Sequence, residues 1–171
     1  KIDAVYGLRW GGMEVKFHDS AGSDTWQGVP MMKKGSLLLR DLGYYKMDDF
    51  ECVDKSGSYF LSRFKFNVKV YEDLEGQKEI DLLAVLRSMA ENETKSTSVY
   101  IGEKKRLKVR LIIQKVPKAV ADHKRHKLKI DKQNKRKKIS EARLKFCDAN
   151  CYITNIPPQM MQDGAIIVLY G

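Results

Sequence analysis

Three sets of side chains in this sequence could do chemistry. The first is a single carboxylate, Asp41, which follows the apolar run Ser36-Leu37-Leu38-Leu39-Arg40 and precedes Leu42-Gly43-Tyr44-Tyr45. An apolar run that stops on an acid, with a glycine just behind it, reads as a buried strand delivering one carboxylate to a sheet edge ahead of a tight turn. Open α/β sheets carry their chemistry at the carboxyl ends of strands, so Asp41 is the first candidate for a metal-binding acid. The local pattern alone also suits an ordinary turn aspartate after a core strand. The second set is His123-x2-His126 with Cys147-x3-Cys151, an outline compatible with zinc. Against zinc, the histidines stand among lysines, and Cys151 alternates with Ile153 in what reads as a strand. The third set is cationic: Lys124, Arg125, Lys127, Lys129, Lys132, Lys135, Arg136, Lys137 and Lys138. No cysteine has an arguable catalytic partner, and no phosphate-binding glycine loop is present.

The charge distribution explains the third set. The net charge is +10, yet residues 102–145 hold 18 Lys/Arg against 4 Asp/Glu, while the remainder holds 14 against 18. One basic module therefore adjoins a mildly acidic body. Such a block meets polyanions, because contacts to phosphates release condensed counterions; the alternative is a solvated basic face. Hydrophobic content of 43% in 171 residues supports one core, with room for an insertion. No apolar run reaches the ~18 residues of a membrane span, and no signal peptide is recognisable. Three cysteines, Cys52, Cys147 and Cys151, form an odd, sparse set that suits reduced thiols in a cytoplasm. The chain opens on Lys1 rather than methionine and stops just after an apolar run, so a segment of a longer protein is expected.

The elements that must position these groups follow from pattern. Residues 4–10 and 13–19 read as a hairpin around Gly11-Gly12. Residues 20–35 read as loop, and residues 36–40 as the strand ending at Asp41. Met47, Phe50 and Val53 recur at three-residue steps behind Asp48 and Asp49, which predicts a short helix, and Gly57 suits its stop. Residues 58–64 read as the next strand, which makes a compact βαβ unit and implies a parallel pair. Ile80, Leu83, Val85 and Leu86 fit a helix or a buried strand. Residues 97–101 and 106–116 read as strands, the second half-buried because Leu107, Val109, Leu111 and Ile113 alternate with Lys108, Arg110 and Ile112. Residues 118–146 read as basic helix in two pieces, residues 150–156 as a strand closed by Pro157-Pro158, and residues 160–170 as the opening of a helix.

These elements carry a specific resemblance. Arg40-Asp41-Leu42-Gly43-Tyr44-Tyr45, then Phe50, then Gly57-Ser58-Tyr59-Phe60-Leu61-Ser62-Arg63-Phe64-Lys65 resemble bacterial insertion-sequence transposases of the DDE type, in particular the insertion-sequence-four family. That family has a strand ending in Asp-x-Gly-Tyr-Phe, a short helix, and a strand reading Tyr-Phe-x-x-Arg-x-Lys. Val109-Arg110-Leu111-Ile112, the basic helix, and Tyr152-Ile153-Thr154-Asn155-Ile156-Pro157 are similar to its insertion region and to the Thr-Asn-x-Pro strand that follows. Order and spacing agree from about residue 15 to residue 170.

The resemblance implies an α/β chain: part of a ribonuclease-H-like core over 1–71, a β-rich and helical basic insertion region over 72–148, and a return to the core over 149–171. It implies three carboxylates holding two Mg²⁺ or Mn²⁺ ions for DNA cleavage and strand transfer, with Asp41 as the second of them. Asp3, Asp19 and Asp24 do not fit the first. The third is a glutamate in the pattern Tyr-x2-Arg-x3-Glu-x6-Lys, whose tyrosine matches Tyr170, so the segment alone is expected to be inactive. Arg63 and Lys65 match positions that contact transposon-end DNA, and Lys124, Arg125, Lys127, Lys135, Arg136, Lys137 and Lys138 match the DNA-facing insertion. The implied partners are double-stranded DNA, as transposon ends and target, and a second protomer in a homodimer, in a bacterial cytoplasm without membrane. The family's base-stacking tryptophan is replaced by Ala149, with Phe146 or Tyr100 as substitutes; Trp10 and Trp26 lie elsewhere. The rival readings are a non-catalytic basic nucleic-acid-binding remnant and a metal-dependent nuclease of the same fold.

Overall fold

The structure, a computed structural model, describes residues 32–134, 136 and 138–170, together with the backbone of residues 2–6 and 13–17. Strands β1 (Ile2–Tyr6) and β2 (Met13–Phe17) form an antiparallel pair in which Ile2 faces Phe17. The pair overlaps the expected strands 4–10 and 13–19, but the first begins two residues earlier and both end sooner; Gly11 and Gly12, and the side chains of Asp3, Asp19 and Asp24, lie outside the described residues.

The βαβ unit forms as its local signals require. Strand β3 (Leu37–Arg40) ends at Asp41, and Leu42–Tyr44 make one 3₁₀ turn. Helix α1 (Met47–Lys55) has Asp48 and Asp49 in its first turn, where the helix dipole favours anions, and Lys55 in its last. Its apolar face buries Phe50 and Val53. Gly57 closes it at φ 70°, a left-handed conformation that a side chain opposes and in which a Cβ would meet the Lys34 side chain. Strand β4 (Tyr59–Arg63) then runs parallel to β3, with Leu37 beside Tyr59 and Arg40 beside Ser62.

The remaining elements extend the same sheet. They are β5 (Val70–Tyr71), α2 (Leu82–Ser88), β6 (Thr94–Ile101), β7 (Leu107–Lys115), α3 (Lys118–Asn134), α4 (Glu141–Lys145), β8 (Ala149–Thr154) and α5 (Asp163–Tyr170). Asp81 caps α2 by accepting from the Leu83 and Ala84 amides, and Ser140 caps α4 by accepting from that of Arg143. The six-stranded order is β3-β4-β8-β7-β6-β5, with β8 antiparallel to both β4 and β7. Strands from all three expected stretches, 1–71, 72–148 and 149–171, thus share one sheet.

Period-two alternation divides the core between two faces. Phe60, Val99, Val109, Leu111, Ile113, Cys151 and Ile153 pack on one face with Phe50 and Val53 of α1 and Leu86 of α2. Leu61, Ile112 and Tyr152 pack on the other beneath Ile166 of α5. Strand β7 is therefore buried on both faces, not half-buried as its alternation suggested, because α5 covers the side on which Arg110 and Ile112 lie. An aromatic stack ties α1 to the sheet: Phe50 lies 4.8 Å from Phe60 at 29°, and Tyr45 meets Phe50 edge-on at 5.1 Å.

Phe60 is fully buried and Val168 is 82% exposed. Phe60→Ala should cost about 3–5 kcal/mol in denaturant-monitored unfolding, whereas Val168→Ala should stay within about 0.5 kcal/mol of the parent chain. Equal effects would contradict this division of the core.

Candidate nucleic-acid-processing edge

At the carboxyl edge of the parallel pair, the register brings three expected residues together. Because Arg40 stands beside Ser62, Asp41 and Arg63 leave the sheet as neighbours. Both are exposed. Tyr170, at the end of α5, reaches the same place: its hydroxyl donates to the Arg40 carbonyl at 2.5 Å, and the Arg63 guanidinium lies 5.7 Å from its ring centroid. Burial raises the pKa of that hydroxyl, and the Asp41 charge pushes the same way, opposed by Arg63. Lys65, also exposed, continues the basic edge with its ammonium 6.0 Å from the Tyr45 ring.

The backbone around Asp41 is fixed while its carboxylate remains outward. Arg40 points to the opposite face, as alternation requires, and its guanidinium pairs with Asp49 of α1 at 2.9 Å. The Asp41 carbonyl accepts from the Tyr44 amide at 3.0 Å. Among the described residues, no ion pair engages the Asp41 carboxylate. It suits one oxygen ligand of a hard divalent cation. Among the described residues no group of three acid, histidine or cysteine side chains comes together, so they do not supply a complete two-ion site.

Sequence reasoning missed the hub that holds α5. Arg110, buried in β7, donates to the carbonyls of Ile156 and Met161 at 3.1 and 2.8 Å and to Ser96 at 3.3 Å, and it pairs with Asp163 at the start of α5. The available signal was a lone arginine inside an apolar strand, which a buried acceptor set must satisfy. The Thr-Asn-x-Pro stretch is likewise structural here. The Thr154 hydroxyl donates to the Phe60 carbonyl at 2.6 Å, and the Asn155 side chain accepts from the Phe60 amide and donates to Ser58 and Asp54. These bonds weld β8 to the start of β4.

The basic helix faces two ways. Lys124 turns inward, donating to the Ala149 carbonyl at 2.6 Å and to Asn150 at 3.0 Å. Burial lowers its pKa, since the charged form loses solvation. Arg125 also turns inward, bonding the Leu144 carbonyl and pairing with Asp122 and Asp148. Their charges hold α3 to the sheet end. Lys127, Lys129, Arg136 and Lys138 face solvent. Lys135 and Lys137 lie outside the described residues.

The zinc outline separates in the same way: His123 and His126 are exposed while Cys147 and Cys151 are buried, the Cys147 thiol donating to the Arg143 carbonyl. Phe146, expected as a base-stacking substitute, is instead core, its ring 5.1 Å from Phe66 and 6.3 Å from Phe64. Tyr100 is half-buried in β6. Trp10 and Trp26 lie outside the described residues.

Comparison with known proteins agrees with the motifs. Over a 191-residue alignment spanning the whole chain, the sequence is 32% identical to the transposase for insertion sequence element IS1151 of Clostridium perfringens. It is 28% identical to the transposase for insertion sequence element IS231F of Bacillus thuringiensis subsp. israelensis over 81% of the chain, and 28% identical to that for IS231E of B. thuringiensis subsp. finitimus over 74%. The chain is similar to the transposases of bacterial insertion sequences. It spans 40% of the length of the Clostridium relative and 32% and 30% of these two Bacillus relatives. No family model and no solved structure matches it. Among the described residues, no helix is long and apolar enough to cross a membrane.

Burial pushes the Cys151 thiol up to about 12, so it stays protonated and unreactive at neutral pH. A thiol-specific reagent at pH 8 should modify the half-buried Cys52 first and reach Cys147 and Cys151 only when denaturant unfolds the chain. Rapid labelling of Cys151 in the native chain would contradict its placement.

Proposed function

We propose that this chain is an internal segment of a DDE transposase of the insertion-sequence-four type: part of a ribonuclease-H-like core with its basic insertion region. What supports this reading most is the convergence of Asp41, Arg63 and Tyr170 on one strand-end edge, in a chain similar along its whole length to one insertion-sequence transposase. In the complete protein Asp41 would be one of three carboxylates around two Mg²⁺ or Mn²⁺ ions. When bound, such ions supply an activated nucleophile and neutralise the leaving oxygen at a phosphodiester. The other two carboxylates would come from elsewhere in that protein, and the segment alone is inactive on this reading.

The chain's own residues then have separable tasks. Arg63 and Lys65 hold the phosphate backbone near Asp41. The outward cations of α3 and the loop after it hold DNA further off, without reading sequence, because phosphate contacts position a duplex but do not specify it. In the DNA complex, two protomers would pair the two transposon ends.

Two measurements test this. In the full-length transposase, Asp41→Asn should abolish cleavage and strand joining while DNA affinity in EDTA stays within about twofold of wild type, because the loss lies in the reaction and not in phosphate contacts. Cleavage at the wild-type rate would remove Asp41 from the chemistry. Replacing Lys135, Arg136, Lys137 and Lys138 by glutamate should weaken DNA binding at low salt by tenfold or more, and should lower the slope of log affinity against log salt by roughly 3. Unchanged affinity and slope would remove that loop from the binding surface.

A further inference from the structure

The hydrogen-bond ladder between β3 and β4 has an unusual last rung. It opens with the Tyr59 amide donating to the Ser36 carbonyl at 2.7 Å. By the two-residue period of a parallel ladder, the Arg63 amide and the Arg40 carbonyl are its final partners. The Tyr170 hydroxyl adds a second donor at that rung: it donates to the same Arg40 carbonyl at 2.5 Å. A side chain from α5 therefore stands at the point where the two strands part and Asp41 turns outward.

The tyrosine is itself firmly placed. Its ring packs 5.5 Å from that of Tyr152 and beneath Arg63. The opposite end of α5 is held by the Arg110–Asp163 pair, so the helix is fixed to the sheet at both ends. Within the described sheet β3 is an edge strand, paired only with β4.

We propose that Tyr170 is a positioning residue for Asp41: by holding the Arg40 carbonyl at the terminal rung of the β3–β4 ladder, its hydroxyl sets where the Asp41 carboxylate stands. The inference rests on the reading of Asp41 as a metal-binding carboxylate. Precise placement of such a group is what a small displacement destroys, because a carboxylate that is misplaced by part of an ångström no longer matches the ion and phosphate it must meet. Arg110 acts one step further back, by fixing the start of the helix that carries Tyr170.

The test uses full-length transposase with the single change Tyr170→Phe, which keeps the ring and removes the hydroxyl. Cleavage at saturating DNA should fall about tenfold, as expected for lost positioning. The Mn²⁺ concentration that half-saturates the protein, read without DNA by electron paramagnetic resonance, should rise. The KM for DNA, the DNA affinity in EDTA and the solubility of the variant should match wild type. Asp41→Asn runs beside it. If Asp41→Asn is inactive while Tyr170→Phe keeps wild-type rate and Mn²⁺ affinity, the positioning role is overturned. It is equally overturned if Tyr170→Phe loses DNA affinity in proportion to rate, since Tyr170 then acts as a DNA contact. Should Asp41→Asn cleave at the wild-type rate, the catalytic reading of Asp41 fails first, and the role of Tyr170 goes with it.

Discussion

The parallel register of β3 and β4 is the constraint on which the rest of the edge depends. Side chains alternate along a strand, so a slip of one residue would turn Asp41 toward the α1 face and Arg40 toward the α5 face. Several independent interactions oppose that slip. Arg40 is paired with Asp49 on one side of the sheet, Leu37 packs with the α5 cluster on the other, and Asn155 fixes the start of β4 through the Phe60 amide. An acid, an arginine and a tyrosine from three separate elements can therefore meet at one place.

Charge serves two purposes in this chain, and burial separates them. Arg110, Lys124 and Arg125 hold their positive charge against carbonyls and carboxylates inside the fold. Such groups are costly to leave unmatched once desolvated, so their acceptors come as sets. Lys127, Lys129, Arg136 and Lys138 are exposed to solvent, which suits contacts that must form and release along a polyanion. One helix, α3, carries both kinds: the inward pair anchors the platform from which the outward residues project.

The legible parts of the fold were those with local causes. The apolar run before Asp41, the three-residue spacing of Met47, Phe50 and Val53, and Gly57 at the helix stop each act over a few residues, and they returned β3, α1 and β4 as read. Two-sided burial of β7 was not legible, because it depends on α5, about fifty residues later, folding over Arg110 and Ile112. The inward turn of Lys124 and Arg125 escaped notice for the same reason: composition marks both as basic but does not show that Lys124 meets Ala149 and Asn150 or that Arg125 meets Asp148. Phe146 failed as a stacking surface because an aromatic near a strand end is equally suited to close a core, and Phe64 and Phe66 claim it. Tyr170 was singled out only through resemblance, and its contact with the Arg40 carbonyl was not read at all, since that partner lies 130 residues away.

The place of β8 has a consequence for how the chain is made. It is the last strand in sequence, yet it lies in the middle of the sheet, between β4 and β7. As the chain leaves the ribosome, β3–β4 and β5–β6–β7 can each form early, but they remain two separate half-sheets with apolar faces and open inner edges. They become one body only when residues 149–154 arrive and insert between them. Closure of so long a loop makes assembly slow and leaves strand edges exposed while synthesis continues. A pause in translation or a truncation just before β8 would leave a basic, sticky intermediate, so the supply of folded protein is governed by the strand whose Tyr152 pairs with Arg63 and packs against Tyr170 at the edge it completes.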